Sequence, residues 1–254
     1  LNSITSVMIE VKNLHKRFQH KEVLKDISIK FQEGKVNFII GRSGSGKSVL
    51  TKCVVGLIEP DKGDVAYDGK SFTRMDRPEK QEVRKKIGML FQGSALFDSM
   101  SVIQNVMFPL NMFTELSEGE KIDRAMNTLE RVELQDSANL LPASLSGGMM
   151  KRVGIARALA MQPRFLFCDE PNSGLDPQTS IIIDNLIKDL TYELNMTTVV
   201  ISHDLNSVLE IGDGINFLHE GRVEWKGDRK DIVNSDVESL NRFVFASNLM
   251  KKLK

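Results

Sequence analysis

Apolar and polar positions change texture three times along the chain. "MIEVKNLHKRF" and "KEVLKDISIKF" alternate apolar and polar residues, the period-two pattern of half-buried antiparallel strands. Val36 to Ile40 is a short run between turn signals and predicts a buried strand. Val49 to Leu57 has helical spacing, with Gly56 placed to help end the helix. "EPDKG" predicts a turn, and "DVAYDGK" a strand with a second turn. From about Ser94 to Arg164 helical segments are separated by polar breaks, and from Met149 onward the spacing predicts an amphipathic helix. Strand character returns at "RFLFCDE" and "TTVVISHD", with a helix predicted over Ser180 to Leu194 between them. "INFLHEGRVEWKGD" predicts a closing hairpin with Gly221 in its turn, and the tail from Asp236 has helical spacing.

Strands alternating with helices imply a largely parallel sheet, so the chain belongs to the α/β class. The helix-only stretch between two halves of that sheet implies an inserted α-helical lobe, about 94–164. The first two strands imply an N-terminal antiparallel β portion. No internal repeat or low-complexity segment interrupts the pattern.

Composition narrows the function classes. The 254 residues are 41% hydrophobic and 27% charged, the profile of an ordinary globular protein. Lys plus Arg is 34 and Asp plus Glu is 34, a balance that gives no reason to expect nucleic acid as partner. No run reaches the roughly 18 apolar residues that span a bilayer. Cys53 and Cys168 lie inside apolar runs without metal-ligand spacing and read as reduced core thiols of a cytosolic protein. Residues 1–7 lack the basic n-region of a signal peptide and read as a leader or cloning remnant before Met8.

The chemistry is concentrated in two places. "GRSGSGKS", Gly41 to Ser48, lies between a predicted strand and a predicted helix, the context that separates a P-loop from a flexible glycine turn. In such a loop the backbone N–H groups of Gly41, Arg42, Ser43, Gly44, Ser45, Gly46, Lys47, Ser48 and Val49 wrap phosphates. Lys47 reaches the β/γ oxygens of ATP, and Ser48 offers its hydroxyl to Mg²⁺. "RFLFCDE" is an apolar strand ending in two carboxylates, costly to bury without work or partners. Asp169 is placed to hold Mg²⁺ through water, and Glu170 to polarise the attacking water as general base. A second helix start, Ser146-Gly147-Gly148 in "SLSGGMMKRVG", also leaves bare N–H groups that suit an anion. Ser146 alone reads as a plain N-cap. Two glycines there cost helix stability, and the sequence offers no packing reason for them.

P-loop, "LSGGM", "FLFCDEP", "SGLD" and "ISHD" stand in the order of the ATP-binding-cassette (ABC) ATPases, and the chain resembles that family from Met8 to about Asp231. The resemblance implies a P-loop ATPase core over 8–235 and a C-terminal helical tail over 236–254. It implies that Gln92 contacts Mg²⁺ and the attacking water while hinging the helical lobe, and that His203 binds the γ-phosphate. It implies that Asp176 communicates across a dimer and that Phe18, where most relatives carry Tyr, stacks on adenine. It further implies a head-to-tail homodimer in which Ser146, Gly147 and Gly148 of one chain close over the γ-phosphate held by the other. Asn172 departs from the commoner Thr.

"MLFQGSALFDSMSVIQNVMFPL" and the Met149 of "LSGGM" resemble the Mla-type ATPases of bacterial phospholipid trafficking, with Gly93-Ser94-Ala95 a small departure. That branch implies transmembrane permease subunits, a mammalian-cell-entry (MCE) lipid-binding protein and accessory subunits as partners. It also implies a place on the cytoplasmic face of the inner membrane, held through the permease. Leu96, Phe97, Met100, Val102 and Ile103 are then divided between lobe core and a groove for a permease helix. An ATPase for a transporter of another substrate, such as an amino acid or ion, stays open, because the ATPase does not touch the cargo. An ABC ATPase acting on DNA or ribosomes finds no support in a chain with one cassette and no long heptad run. In the tail, Val237, Leu240, Val244 and Phe243 share a helical stripe that docks on its own domain or on the partner protomer.

Overall fold

Two sheets, eight α-helices and three short 3₁₀ turns make up the described residues, 7–245, of the computed structural model. The leader reading of 1–7, apart from Val7, and the end of the tail lie outside them. β1 (Val7–Phe18) and β2 (Lys21–Gln32) pair antiparallel, and β1 pairs on its other side with β4 (Lys62–Tyr67), which carries the two-residue β5 (Lys70–Ser71). This is the antiparallel sheet, in the order β2-β1-β4-β5.

The second sheet is built on β3 (Val36–Ile40). Its order is β10-β9-β3-β8-β7-β6, with β6 at Ile87–Leu90, β7 at Phe165–Asp169, β8 at Thr197–Ser202, β9 at Gly214–His219 and β10 at Arg222–Gly227. β6, β7, β8, β3 and β9 run parallel; β10 closes the edge as an antiparallel hairpin strand. Successive strand residues face opposite sides, and both sides are covered. Phe38, Ile40, Leu166 and Cys168 enter the core under the helices, while Ile39, Phe165, Phe167 and Ile201 enter the core shared with the antiparallel sheet.

α1 (Lys47–Val54) follows the glycine loop. α2 (Arg77–Lys85) has no buried residue and owes its start to a capping box between Asp76 and Glu79. α3 (Val102–Phe113) and α4 (Glu118–Arg131) fill the chain between β6 and β7, each opened by a capping box. Contrary to the spacing, α5 (Gly147–Leu159) is not an amphipathic helix. It is buried on most of its surface, because it packs on the sheet and on α3 and α4 together. α6 (Pro177–Glu193) begins three residues before the predicted Ser180, since Asp176 caps it and Pro177 supplies a ready-made first turn.

α7 (Leu205–Ile211) leads into the closing hairpin. α8 (Glu238–Val244) buries Leu240 and Val244 in the main core of its own chain, and its Phe243 ring lies 5.5 Å from Phe217. The described part of the tail therefore docks in cis. Cys53 and Cys168 are free and buried, their thiols pushed up to about 11 and about 12, in each case chiefly by burial.

Candidate functional site

Parallel strands present their carboxyl ends at one edge of a sheet, which is where ligands of α/β proteins sit. The glycine loop leaves β3 at that edge, Gln92 lies two residues past β6, Asp169 ends β7 with Glu170 next, and His203 follows β8. Four separate pieces of sequence are thus gathered by topology alone.

At the glycine loop, Gly46 caps α1 with φ 107°, a left-handed conformation that other residues rarely adopt. A Cβ there would also lie 3.0 Å from Leu24 Cδ2 and 3.1 Å from the Val23 carbonyl oxygen. No side chain caps this helix and its first turn holds no acid, so its positive end is left to an anion. Arg42, Ser43, Gly44 and Ser48 are exposed, while Val49 packs on the core shared with the antiparallel sheet. Lys47 is buried, and its ammonium donates to the carbonyl oxygens of Gly41 at 2.7 Å and Arg42 at 3.2 Å. Burial lowers its pKa, opposed by the carboxylates of Glu170 and Asp169.

Asp169 is partly buried, and its Oδ1 has no hydrogen-bond donor among the described residues. Burial, then the neighbouring Glu170, raises its pKa against the pull of Lys52, Lys47 and Lys151. A carboxylate oxygen without a donor, with the Ser48 hydroxyl and the Gln92 amide oxygen as companions, fits Mg²⁺. That ion takes one or two carboxylates and fills the rest of its shell with other oxygens, largely water and phosphate. No cluster of three or more His, Cys, Asp or Glu among the described residues offers an all-protein cage instead.

Glu170 sits at φ 49°, in the left-handed region, with its N–H donating to the Ile201 carbonyl at 2.9 Å. Its Oε2 lies 2.7 Å from Nδ1 of His203, whose side chain is 67% exposed against 15% for Glu170. Gln92 is exposed and donates from Nε2 to Ser173 Oγ at 3.4 Å. Phe18, at the end of β1, is 43% exposed, with the Lys16 ammonium 5.4 Å from its ring centre.

The second helix start is divided. Ser146 is the N-cap of α5, accepting the Met149 N–H at 3.2 Å, and both Ser146 and Gly147 are exposed. Gly148 is buried, and a Cβ on it would fall 2.5 Å from Thr179 Cγ2 of α6. Contrary to the sequence reading, one of the two glycines has a packing reason: α5 and α6 meet too closely for a side chain. Asp176 accepts from the Thr179 N–H at 3.0 Å and from its hydroxyl at 2.5 Å, bonds that lower its pKa.

Two residues at this edge escape sequence reasoning. Lys151, one turn into α5, is only 4% exposed and donates to the backbone carbonyls of Gln92 and, at 3.4 Å, of Glu170. Asn172 donates to Asp184 Oδ1 and to Ser207 Oγ, both at 2.9 Å, joining the loop after β7 to α6 and α7. The apolar run after Gln92 is divided by burial. Val102 is fully buried and Leu96 and Ile103 pack on the core, while Phe97 is 40% exposed against Phe108 at 4.6 Å.

Residues 24–173 match the family model described as "ABC transporter". The intermembrane phospholipid transport system ATP-binding protein MlaF of Haemophilus influenzae is 38% identical over 228 residues, covering 90% of this chain and 86% of its own. The methionine import ATP-binding protein MetN of Carboxydothermus hydrogenoformans is 41% identical over 228 residues, 89% of this chain and 67% of its own. Among solved structures, the dimeric post-hydrolysis state of the ATP-binding cassette MJ0796 bound to ADP and Pi superposes with a TM-score of 0.79. It is 34% identical and covers 87% of this chain and 99% of its own.

Proposed function

The chain belongs to the ABC transporter family of ATPases, and from that membership we propose that it is the nucleotide-binding subunit of a transporter that moves phospholipids. It is an ATPase. The observation that carries the finer reading is the run from Met89 to Leu110 together with Met149, supported by the 38% identity to a phospholipid-transport relative.

The bound nucleotide lies along the start of α1, its adenine against Phe18 and its phosphates in the loop Gly41 to Val49. Lys47, released from the Gly41 and Arg42 carbonyls, turns its ammonium to the β- and γ-phosphates, where charge-assisted bonds are strongest. Ser48 and Gln92, with Asp169 acting through water, would hold Mg²⁺, which would supply positive charge to the phosphate oxygens. Glu170 takes the proton of the attacking water, and its contact with His203 fixes the carboxylate beside the γ-phosphate. Ser146, Gly147, Gly148 and Asp176 of a second copy complete the site, so closure of a homodimer accompanies ATP binding, and hydrolysis reopens it.

Dimer closure works on two permease subunits through the exposed surface around Phe97. The ATPase thereby sits on the cytoplasmic face of the inner membrane, and an MCE-domain lipid-binding protein receives or delivers the lipid. No helix among the described residues is long and apolar enough to cross a membrane.

The test is co-purification with a candidate permease subunit and reconstitution in vesicles carrying a fluorescent phospholipid. ATP-dependent phospholipid movement, abolished by Lys47→Ala, is expected. The identity to a methionine-import relative favours a second reading, an importer of a small solute. ATP-driven uptake of an amino acid by the same vesicles, without lipid movement, would establish that one instead.

A further inference from the structure

Lys151 is a buried cation with no carboxylate within ion-pair distance among the described residues. Its ammonium is held by two backbone carbonyls, those of Gln92 and Glu170. Burying a charge is costly, and an apolar side chain of similar length would fill the same space more cheaply. Met149 and Met150, its neighbours on α5, do pack against the core in that way. A cation retained between two such carbonyls is therefore explained by what it connects.

Three segments meet at this ammonium. α5 begins four residues earlier at Gly147, with Ser146 and Gly147 exposed ahead of it. Gln92 follows β6 and Glu170 follows β7, its parallel neighbour. Glu170 holds a left-handed φ of 49°, a conformation that its surroundings must fix. Its N–H goes to Ile201, while its carbonyl accepts from the Ser173 N–H at 3.1 Å and from Lys151. A displacement of the start of α5 must pull on both Gln92 and the backbone of Glu170.

We propose that Lys151 is a positioning residue that couples the two ends of the composite site: contact of the partner's nucleotide with the start of α5 sets, through its ammonium, the placement of Gln92 and Glu170 in the same chain. The inference rests on the head-to-tail dimer proposed above. It makes the two nucleotide sites of a dimer interdependent, because phosphate captured in one is felt at the water-activating carboxylate of the other.

The experiment measures steady-state ATP hydrolysis against ATP concentration for the full chain, with Lys151→Met, Lys151→Gln and Ser146→Asp alongside wild type. Lys151→Met is expected to lower kcat about tenfold or more with KM changed less than about twofold, and to bring the Hill coefficient down toward one. Lys151→Gln keeps an N–H donor without the charge and is expected to recover part of both. If Lys151→Met melts below the assay temperature, Lys151→Gln carries the test, with a kcat between wild type and background and a Hill coefficient below wild type. Wild-type kcat and cooperativity in Lys151→Met or, where it does not fold, in Lys151→Gln, while Ser146→Asp abolishes hydrolysis, overturn the coupling and leave the dimer reading standing. Unchanged hydrolysis in Ser146→Asp removes the dimer reading, and the coupling with it.

Discussion

Asp184 offers a quantitative test of how the switch region is held. It lies on α6, is 4% exposed, and accepts a hydrogen bond from Asn172. Burial pushes its pKa from 3.8 up to about 6, with hydrogen bonds from Ser207 and Asn172 opposing and the carboxylates of Asp204 and Glu210 adding to the rise. The unfolded chain releases this proton near pH 4 and the folded chain near pH 6. The neutral carboxyl thus contributes stability that is fully present below about pH 4 and lost as pH rises through about 6. Above that window the folded state carries a buried carboxylate at a cost of about 3 kcal/mol, the free-energy equivalent of the displacement. Asp184→Asn is neutral at every pH and keeps an oxygen for the Asn172 N–H. The opposing hydrogen bonds are already contained in that displacement, so the variant is expected to be about 3 kcal/mol more stable than wild type at pH 7.5. The advantage should shrink between pH 6 and pH 4 and vanish at the acid end. Urea unfolding of both proteins at half-unit steps across that range measures it. A stability difference independent of pH, or a destabilised variant at pH 7.5, refutes the reasoning.

Other consequences are equally specific. Gly148→Ala forces α5 away from Thr179 and is expected to cost about 1–3 kcal/mol in urea unfolding, with Thr179→Ser in the same chain restoring most of it by removing Cγ2. Leu240→Ala, at a fully buried site of the chain's own core, is expected to cost about 2–5 kcal/mol of monomer stability while leaving self-association unchanged; a selective loss of dimer would place the tail on the partner instead. Ser146→Asp keeps an effective N-cap but sets a negative charge where a second chain's γ-phosphate arrives. Mixed with Lys47→Ala it is expected to regain ATP-driven association at the one composite site free of both lesions. Mixtures no more active than either variant alone would argue against a site shared between chains.

What the sequence conveys and what it hides follow a physical line. The glycine loop and the acidic end of β7 are local: a buried apolar strand, a turn and a helix start within a dozen residues leave little freedom, and Val36–Ile40 forms the strand its composition predicts. The start of α6 was also written locally, in Asp176 and Pro177, a cap followed by a first-turn proline, although apolar spacing alone places it later. α2 turns only Val83 toward the core and β6 is four residues long, so neither carries a periodic signal strong enough to read, though the Asp76–Glu79 capping box marks where α2 begins. Gly148, Lys151 and Asn172 take their meaning from residues far along the chain. The contact of Gly148 with Thr179, the reach of Lys151 to Gln92 and the bridge from Asn172 to Ser207 exist only once the helices are packed.

Glu170 bears the central claim, that this edge of the sheet is where water is activated against ATP between two copies of the chain. Glu170→Gln keeps the shape of the side chain and a hydrogen-bonding oxygen for His203 but removes the base. Single-turnover hydrolysis and sedimentation of the same sample with Mg²⁺ and ATP give both quantities at once. The account predicts ATP affinity close to wild type, hydrolysis lowered by at least about a hundredfold, the scale of a lost general base, and a stable ATP-bound dimer that wild type forms only transiently. Near-wild-type turnover, or a variant that binds ATP and stays monomeric, would contradict it.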